Sequence, residues 1–324
     1  MRVLHVANGH CTAELIESSG VPGRTMVWAD ALVDGPVPDV PDDELVRIRA
    51  AFLAGRPEDA AEVAADLTQW RASIDDHDSY DELVLWFEHD LFDQLNLIQL
   101  LAHLGARPSP KPVTLVSVGA FPGHPDFQGL GQLTPADLAG LFELRRPITP
   151  EQFALAARAW SAFRSPDPRA IQGILATDTT ALPYLAAALA RHLEEFPSDT
   201  NGLSRSEQQM MDQASDAPVE IQDAFPRTQR GETAYFITDT SFFDLANALA
   251  SSSPPLLTIH LSHPKQSAMP VGTIELTMQG RDVLQGRADR LRVSGIDRWL
   301  GGVHLTGNGR VWRWSARDQQ LIEA

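Results

Sequence analysis

Over the first 120 residues the apolar positions fall into short continuous runs separated by stretches of helical spacing. Residues 2–7 form one run, 24–29 a second around Met26, Val27 and Trp28, 83–87 a third, and 112–118, rich in β-branched residues, a fourth. Between them, residues 12–18, 43–53, 57–74 and 91–104 carry helical periodicity, with Leu91, Leu95, Ile98 and Leu101 in register on the last. Wholly apolar strands alternating with helices predict a parallel sheet covered on both faces. The expected fold class is α/β, with a Rossmann-like three-layer domain over residues 1–145.

Farther along, the pattern becomes helical at 134–142, 150–163 and 181–195, with proline-containing breaks at Pro147, Pro166 and Pro168. This predicts a helical connector over 146–200, closed by turn residues at 197–202. Ser204 followed by Glu207 is a capping-box spacing that opens a third region, 203–324. That region reads as a helix, a second helix at 240–249, a strand at 256–260 and a helix capped by Thr277. A hairpin follows: residues 303–306, a Gly307-Asn308-Gly309 turn, then 310–314. The expected architecture here is a winged-helix-like α+β domain.

Composition narrows the function classes. A chain of 324 residues with 43% hydrophobic and 21% charged residues matches an ordinary globular protein, and no apolar run approaches the roughly 20 residues needed to span a bilayer. One cysteine, Cys11, excludes an internal disulfide and a thiolate zinc cluster. The sequence starts directly with a predicted strand, so a cytoplasmic location without membrane attachment is expected. Net charge is −17, and residues 1–150 hold 10 basic and 23 acidic side chains. Because nucleic-acid affinity draws on phosphate neutralisation, this part is a poor DNA surface. Only residues 271–324, with 8 basic and 6 acidic side chains, have a positive balance.

Candidate chemistry gathers where the predicted parallel strands end, the edge at which α/β folds place ligands. The third strand ends in Glu88, His89 and Asp90. A carboxylate and an imidazole there suit general acid–base work, or the group could hold a divalent cation with Asp93. Asp90 and Asp93 also have the spacing of a helix N-cap and a first-turn carboxylate. The first strand ends in Asn8, Gly9 and His10, where Gly9 allows a sharp turn and the next helix offers N–H groups to an anion. Asp30 and His124 follow the second and fourth strands. His5, inside the first strand, reads as a hydrogen-bonded core residue. No phosphate-loop, nucleophile-elbow or zinc motif occurs.

These observations predict an enzyme or ligand-binding protein for a small phosphorylated or nucleotide-like molecule, working by hydrolysis or group transfer. Glu88, His89 and Asp90 would be catalytic; Asn8, Gly9, His10, Asp30 and His124 would bind the anionic ligand. An alternative is a ligand-responsive DNA-binding regulator contacting the duplex through Arg310 and Arg313 of the hairpin. A third reading is a protein-docking module or homo-oligomer with the hairpin tryptophans at its interface.

The motifs Leu4-His5-Val6-Ala7-Asn8-Gly9-His10, Trp28-Ala29-Asp30-Ala31-Leu32, Asp34-Gly35-Pro36-Val37-Pro38 and Trp86-Phe87-Glu88-His89-Asp90-Leu91-Phe92-Asp93-Gln94-Leu95 resemble a bacterial family, domain of unknown function 1835. The stretch Gly295-Ile296-Asp297-Arg298-Trp299-Leu300-Gly301-Gly302-Val303-His304-Leu305 resembles the tail that accompanies it. The similarity spans most of the chain. It departs at His10, where the family more often has Asp. The resemblance implies no particular reaction.

Overall fold

A computed structural model describes residues 2–107, 109–263, 270–307 and 311–324. The chain divides into two compact units, Met1–Leu189 with Gly301–Val303, and Ala190–Leu300 with His304–Ala324. The helices expected as a connector over 146–200 are thus shared between the two units. No described helix is long and apolar enough to cross a membrane.

In the first unit the chain runs β1 (Val3–Ala7), α1 (His10–Ser18), β2 (Arg24–Val27), β3 (Gly35–Pro36), α2 (Asp42–Leu53), α3 (Ala60–Asp75), β4 (Glu82–Glu88) and α4 (Leu91–Gly105). It continues through β5 (Val113–Val118), α5 (Pro135–Glu143), β6 (Arg146–Pro147), α6 (Pro150–Arg164) and α7 (Arg169–Leu175). The fold is mixed α/β. One sheet has the order β2-β1-β4-β5-β6, and its first four strands are parallel, as their unbroken apolar character predicts. The short strand β6 is antiparallel to β5 and falls where the sequence suggested only a proline break.

Every residue of β1 and β4 is buried, so both faces of the sheet are covered. Val3, Ala7, Val84 and Trp86 face α1 and α5, with Phe127 and Leu130 of the β5–α5 loop joining that core. The alternate set, Leu83, Leu85 and Phe87, is equally buried; α4 packs on β4, and α6 lies against α4. Helices α5 and α6 each begin with a threonine capping box and a proline in the first turn, which fixes their starts. Gly302 lies directly on the backbone of α6: its N–H donates to Phe163 O at 2.9 Å, and an added Cβ would collide with Arg164 O. Only glycine allows this approach.

The boundary between the units falls inside α8 (Leu185–Leu193). The second unit holds α9 (Arg205–Gln213), β7 (Val219–Glu220), α10 (Ile221–Thr228), α11 (Asp239–Ala250), β8 (Leu257–His263), β9 (Val271–Leu276), α12 (Met278–Leu284) and α13 (Arg290–Ser294). It ends with β10 (Ile296–Gly301), β11 (Val303–Gly307), β12 (Trp312–Ser315) and β13 (Gln320–Glu323). The predicted capping box at Ser204 and N-cap at Thr277 both form, accepting from Glu207 N and Gly280 N. A buried ionic network joins Arg191 to Glu195 (2.7 Å) and Glu232 (3.2 Å), and Arg298 to Glu195 (2.9 Å).

The C-terminal hairpin differs from expectation. Asn308, Gly309 and Arg310 lie outside the described residues, but the strands on either side of them do not pair with one another. Instead β11 pairs with β10, and β12 pairs antiparallel with β13. The Asn-Gly signal is local, whereas Gln320–Glu323 supplies a better apolar partner by placing Leu321 opposite Trp314.

Candidate functional site

Strand alternation decides what happens at the end of β4. Val84, Trp86 and Glu88 point the same way, so the Glu88 carboxylate enters the space beneath the β5–α5 loop and accepts from Leu130 N–H. Gly129 makes that possible, since a Cβ there would sit 2.5 Å from Glu88 Oε2. Glu88 is only 6% exposed.

His89 is the first residue past the strand. Its half-buried ring stacks on Phe127 at 6.1 Å and meets Tyr184 edge-on at 6.0 Å. It is hydrogen-bonded to the Val118 backbone, and burial lowers its pKa, which favours the neutral imidazole.

Asp90 and Asp93 build the start of α4. Asp90 is the N-cap, its Oδ1 accepting from Asp93 N at 2.9 Å. Asp93 reaches back to accept from Glu88 N–H and from Asn8 Nδ2, 3.0 Å from each oxygen. The capping expected from spacing is present, yet it leaves three carboxyl groups crowded and almost wholly buried. Burial, then the neighbouring charge of Asp90, raises the Glu88 pKa to about 8. Burial also raises Asp90 to about 6 and pushes Asp93 well above the usual carboxylate range. Near pH 7 Glu88 therefore keeps its proton, while Asp90 carries charge.

At the end of β1, the Asn8 amide touches both Asp93 and Glu88, while its Oδ1 is buried without a hydrogen-bond partner among the described residues. Gly9 is the N-cap of α1 and is fully extended (φ −176°, ψ 169°), so it serves no tight left-handed turn. It adds no side-chain cap, and a Cβ there would meet nothing within 4 Å. The helix start is consequently open. His10 begins α1 and is exposed.

Other predicted residues are engaged elsewhere. Asp30 is buried in a bidentate ion pair with Arg49, whose Nη2 lies 2.7 Å from Asp30 Oδ1 and whose Nη1 donates to Asp34 O. This assigns Asp30 to holding the loop after β2. His124 sits in the β5–α5 loop, its ring 5.8 Å from Phe121. His5 is a core histidine: Nδ1 accepts from Trp86 Nε1 at 3.1 Å, and Nε2 donates to Pro22 O at 3.2 Å. Arg313 is buried against Asp289 at 2.6 Å and donates to Ser198 O, so it anchors β12 and has no free face for a duplex. Arg310 lies outside the described residues.

Sequence spacing missed the contributions of Asn8 to Asp93, of Gly129 and Leu130 to Glu88, and of Phe127 and Tyr184 to His89. Among the described residues no group of three His, Cys, Asp or Glu side chains is arranged to hold a metal ion. Comparison with protein-family models and with curated proteins gives no match.

Proposed function

We propose that the carboxyl edge of the parallel sheet binds a small phosphorylated or nucleotide-like molecule and provides acid–base groups for its hydrolysis or transfer. The observation that carries this reading is the buried convergence of Glu88, Asp90, Asp93 and Asn8 beside the uncapped start of α1. Free N–H groups at a helix start attract an anion, and a Glu88 that keeps its proton near neutral pH lessens the repulsion. Glu88, protonated at neutral pH, is suited to donate a proton to a leaving oxygen. Neutral His89 is suited to accept one. The β5–α5 loop covers both, so substrate entry requires this loop to move.

On this reading the first unit is a Rossmann-like domain, and the motif resemblance supports membership of the domain of unknown function 1835 family. The test is native mass spectrometry of the purified protein for a retained small ligand, followed by the Glu88→Gln, His89→Ala double variant. A mass shift lost in the variant supports the reading. Ligand binding unchanged by the double substitution defeats it.

A further inference from the structure

A second group of polar residues lies away from the sheet edge, among α2, α3, α4 and α6 of the first unit. They line a cavity of about 170 Å³ walled by the buried indoles of Trp28 and Trp160. Ligand pockets for drug-sized molecules run to roughly 300–1,000 Å³, so this space suits a small ion or the end of a larger molecule.

Three guanidinium groups line the same cavity: Arg71 from α3, Arg164 at the end of α6 and Arg107 just past α4. Arg164 lies over the Trp160 ring, is held by the carbonyls of Pro38 and Val40, and has Asp39 at 3.5 Å. Arg107 has Asp75 at 3.6 Å. Arg71 differs from both. Its guanidinium lies over the Trp28 ring, and its one hydrogen bond among the described residues is a long one to Leu67 O, 3.4 Å. No described carboxylate forms an ion pair with it. The acidic groups facing the cluster, Asp42 and Asp75, lie 3.7 and 2.8 Å from His103.

Gln99 supplies an independent signal. It is 5% exposed and lines the cavity; its Oε1 accepts from Trp28 Nε1 at 3.1 Å, which fixes the amide. The Nε2 donor is left buried without a partner among the described residues. An unpaired buried donor is costly, and Arg71 is balanced only at longer range, by Asp42, which also lines the cavity, and by Asp30 and Asp75, none within ion-pair distance. One ligand answers both: an oxyanion accepts from Gln99 and gives Arg71 the direct, hydrogen-bonded partner it lacks.

We infer that this cavity is a binding site for a small phosphate-like oxyanion, held by Arg71, Gln99, Arg164 and Arg107 between Trp28 and Trp160. It is separate from the sheet-edge site and does not depend on it.

The experiment titrates inorganic phosphate, and in a parallel arm phenyl phosphate, into the full-length protein at constant ionic strength. Tryptophan fluorescence and calorimetry read the binding. Saturable binding is expected, weakened roughly tenfold or more by Arg71→Gln and by Gln99→Met, and unchanged by Arg47→Gln on the exposed face of α2. Partial recovery in Arg71→Lys and unaltered circular dichroism without phosphate exclude simple misfolding of the variants. Binding of phosphate alone identifies the free ion as the ligand; tighter binding of phenyl phosphate identifies a monoester. Absence of saturable binding overturns the inference. So does binding that survives Arg71→Gln but disappears in the Glu88→Gln, His89→Ala variant, which would place the anion at the sheet edge.

Discussion

Glu88 illustrates how a single strand position acquires unusual chemistry. Its side chain follows Val84 and Trp86 into an apolar layer, and the loop closes over it through Leu130 N–H. Ionising it there is unfavourable, so its pKa rises to about 8 from an ordinary 4.5. The folded protein then binds more protons than the unfolded chain between those two values. The stability this group contributes is fully present below about pH 4.5 and is lost as pH rises towards 8. Every tenfold difference in proton affinity between the folded and unfolded chain corresponds to about 1.4 kcal/mol, so the loss amounts to several kcal/mol. Glu88→Gln should flatten this slope and raise stability at pH 8, as measured by urea denaturation at pH values from 4.5 to 8. A wild-type protein equally stable at both ends would contradict the assignment. Asp30 presents the opposite case: its charge is matched by Arg49 at 2.7 Å, with both groups buried. Arg49→Met should therefore cost roughly 3–5 kcal/mol by leaving that carboxylate unpaired, as read from the denaturation midpoint.

At the scale of elements, α4 organises the sheet edge. Its apolar positions were legible from sequence because Leu91, Leu95, Ile98 and Leu101 repeat at helical spacing. The polar positions on the same buried helix were not, because their partners lie far away along the chain. Asp93 reaches Asn8 at the end of β1. Asn96 accepts from Asp30 N at 3.0 Å and donates to Asp30 O at 2.9 Å, just past β2. Gln94 donates to Glu88 O at 2.6 Å at the end of β4, and Gln99 accepts from Trp28 Nε1. One helix thus ties three strand ends together. Spacing alone gives Asp90 and Asp93 as caps; it contains nothing about which strand end each will meet. Asn96→Ala should cost roughly 1–3 kcal/mol, because it leaves the buried Asp30 N–H without its partner, while Asp30 O keeps Leu32 N–H. Amide hydrogen exchange at Asp30 should accelerate in this variant, and unchanged protection there would show that Asn96 is dispensable.

The whole chain carries −17, and its one positively balanced segment spends four of its eight cations on internal ion pairs. Arg287 pairs with Asp282, Arg290 with Glu207, Arg298 with Glu195 and Arg313 with Asp289, each within 3.0 Å. Counting charge along the sequence suggested a basic face; the pairing of those charges depends on contacts up to 103 residues apart that no local pattern contains. The strand exchange at the C-terminus has the same origin, since the choice between two partners for β12 is made by packing. A duplex-binding surface needs guanidinium groups free to displace counterions. Arg313, at 8% exposure, is instead part of the second unit's interior. Arg313→Ala should lower stability by roughly 1–2 kcal/mol, since Asp289 loses its charge partner but keeps the Leu291 and Arg292 N–H groups it caps, with Asp289→Asn in the same background restoring part of it. Fluorescence anisotropy on duplex DNA at low and at roughly physiological salt provides the contrasting readout. Tight, salt-sensitive binding that weakens in Arg313→Ala while stability stays constant would reverse this assignment and make the hairpin arginine a phosphate contact.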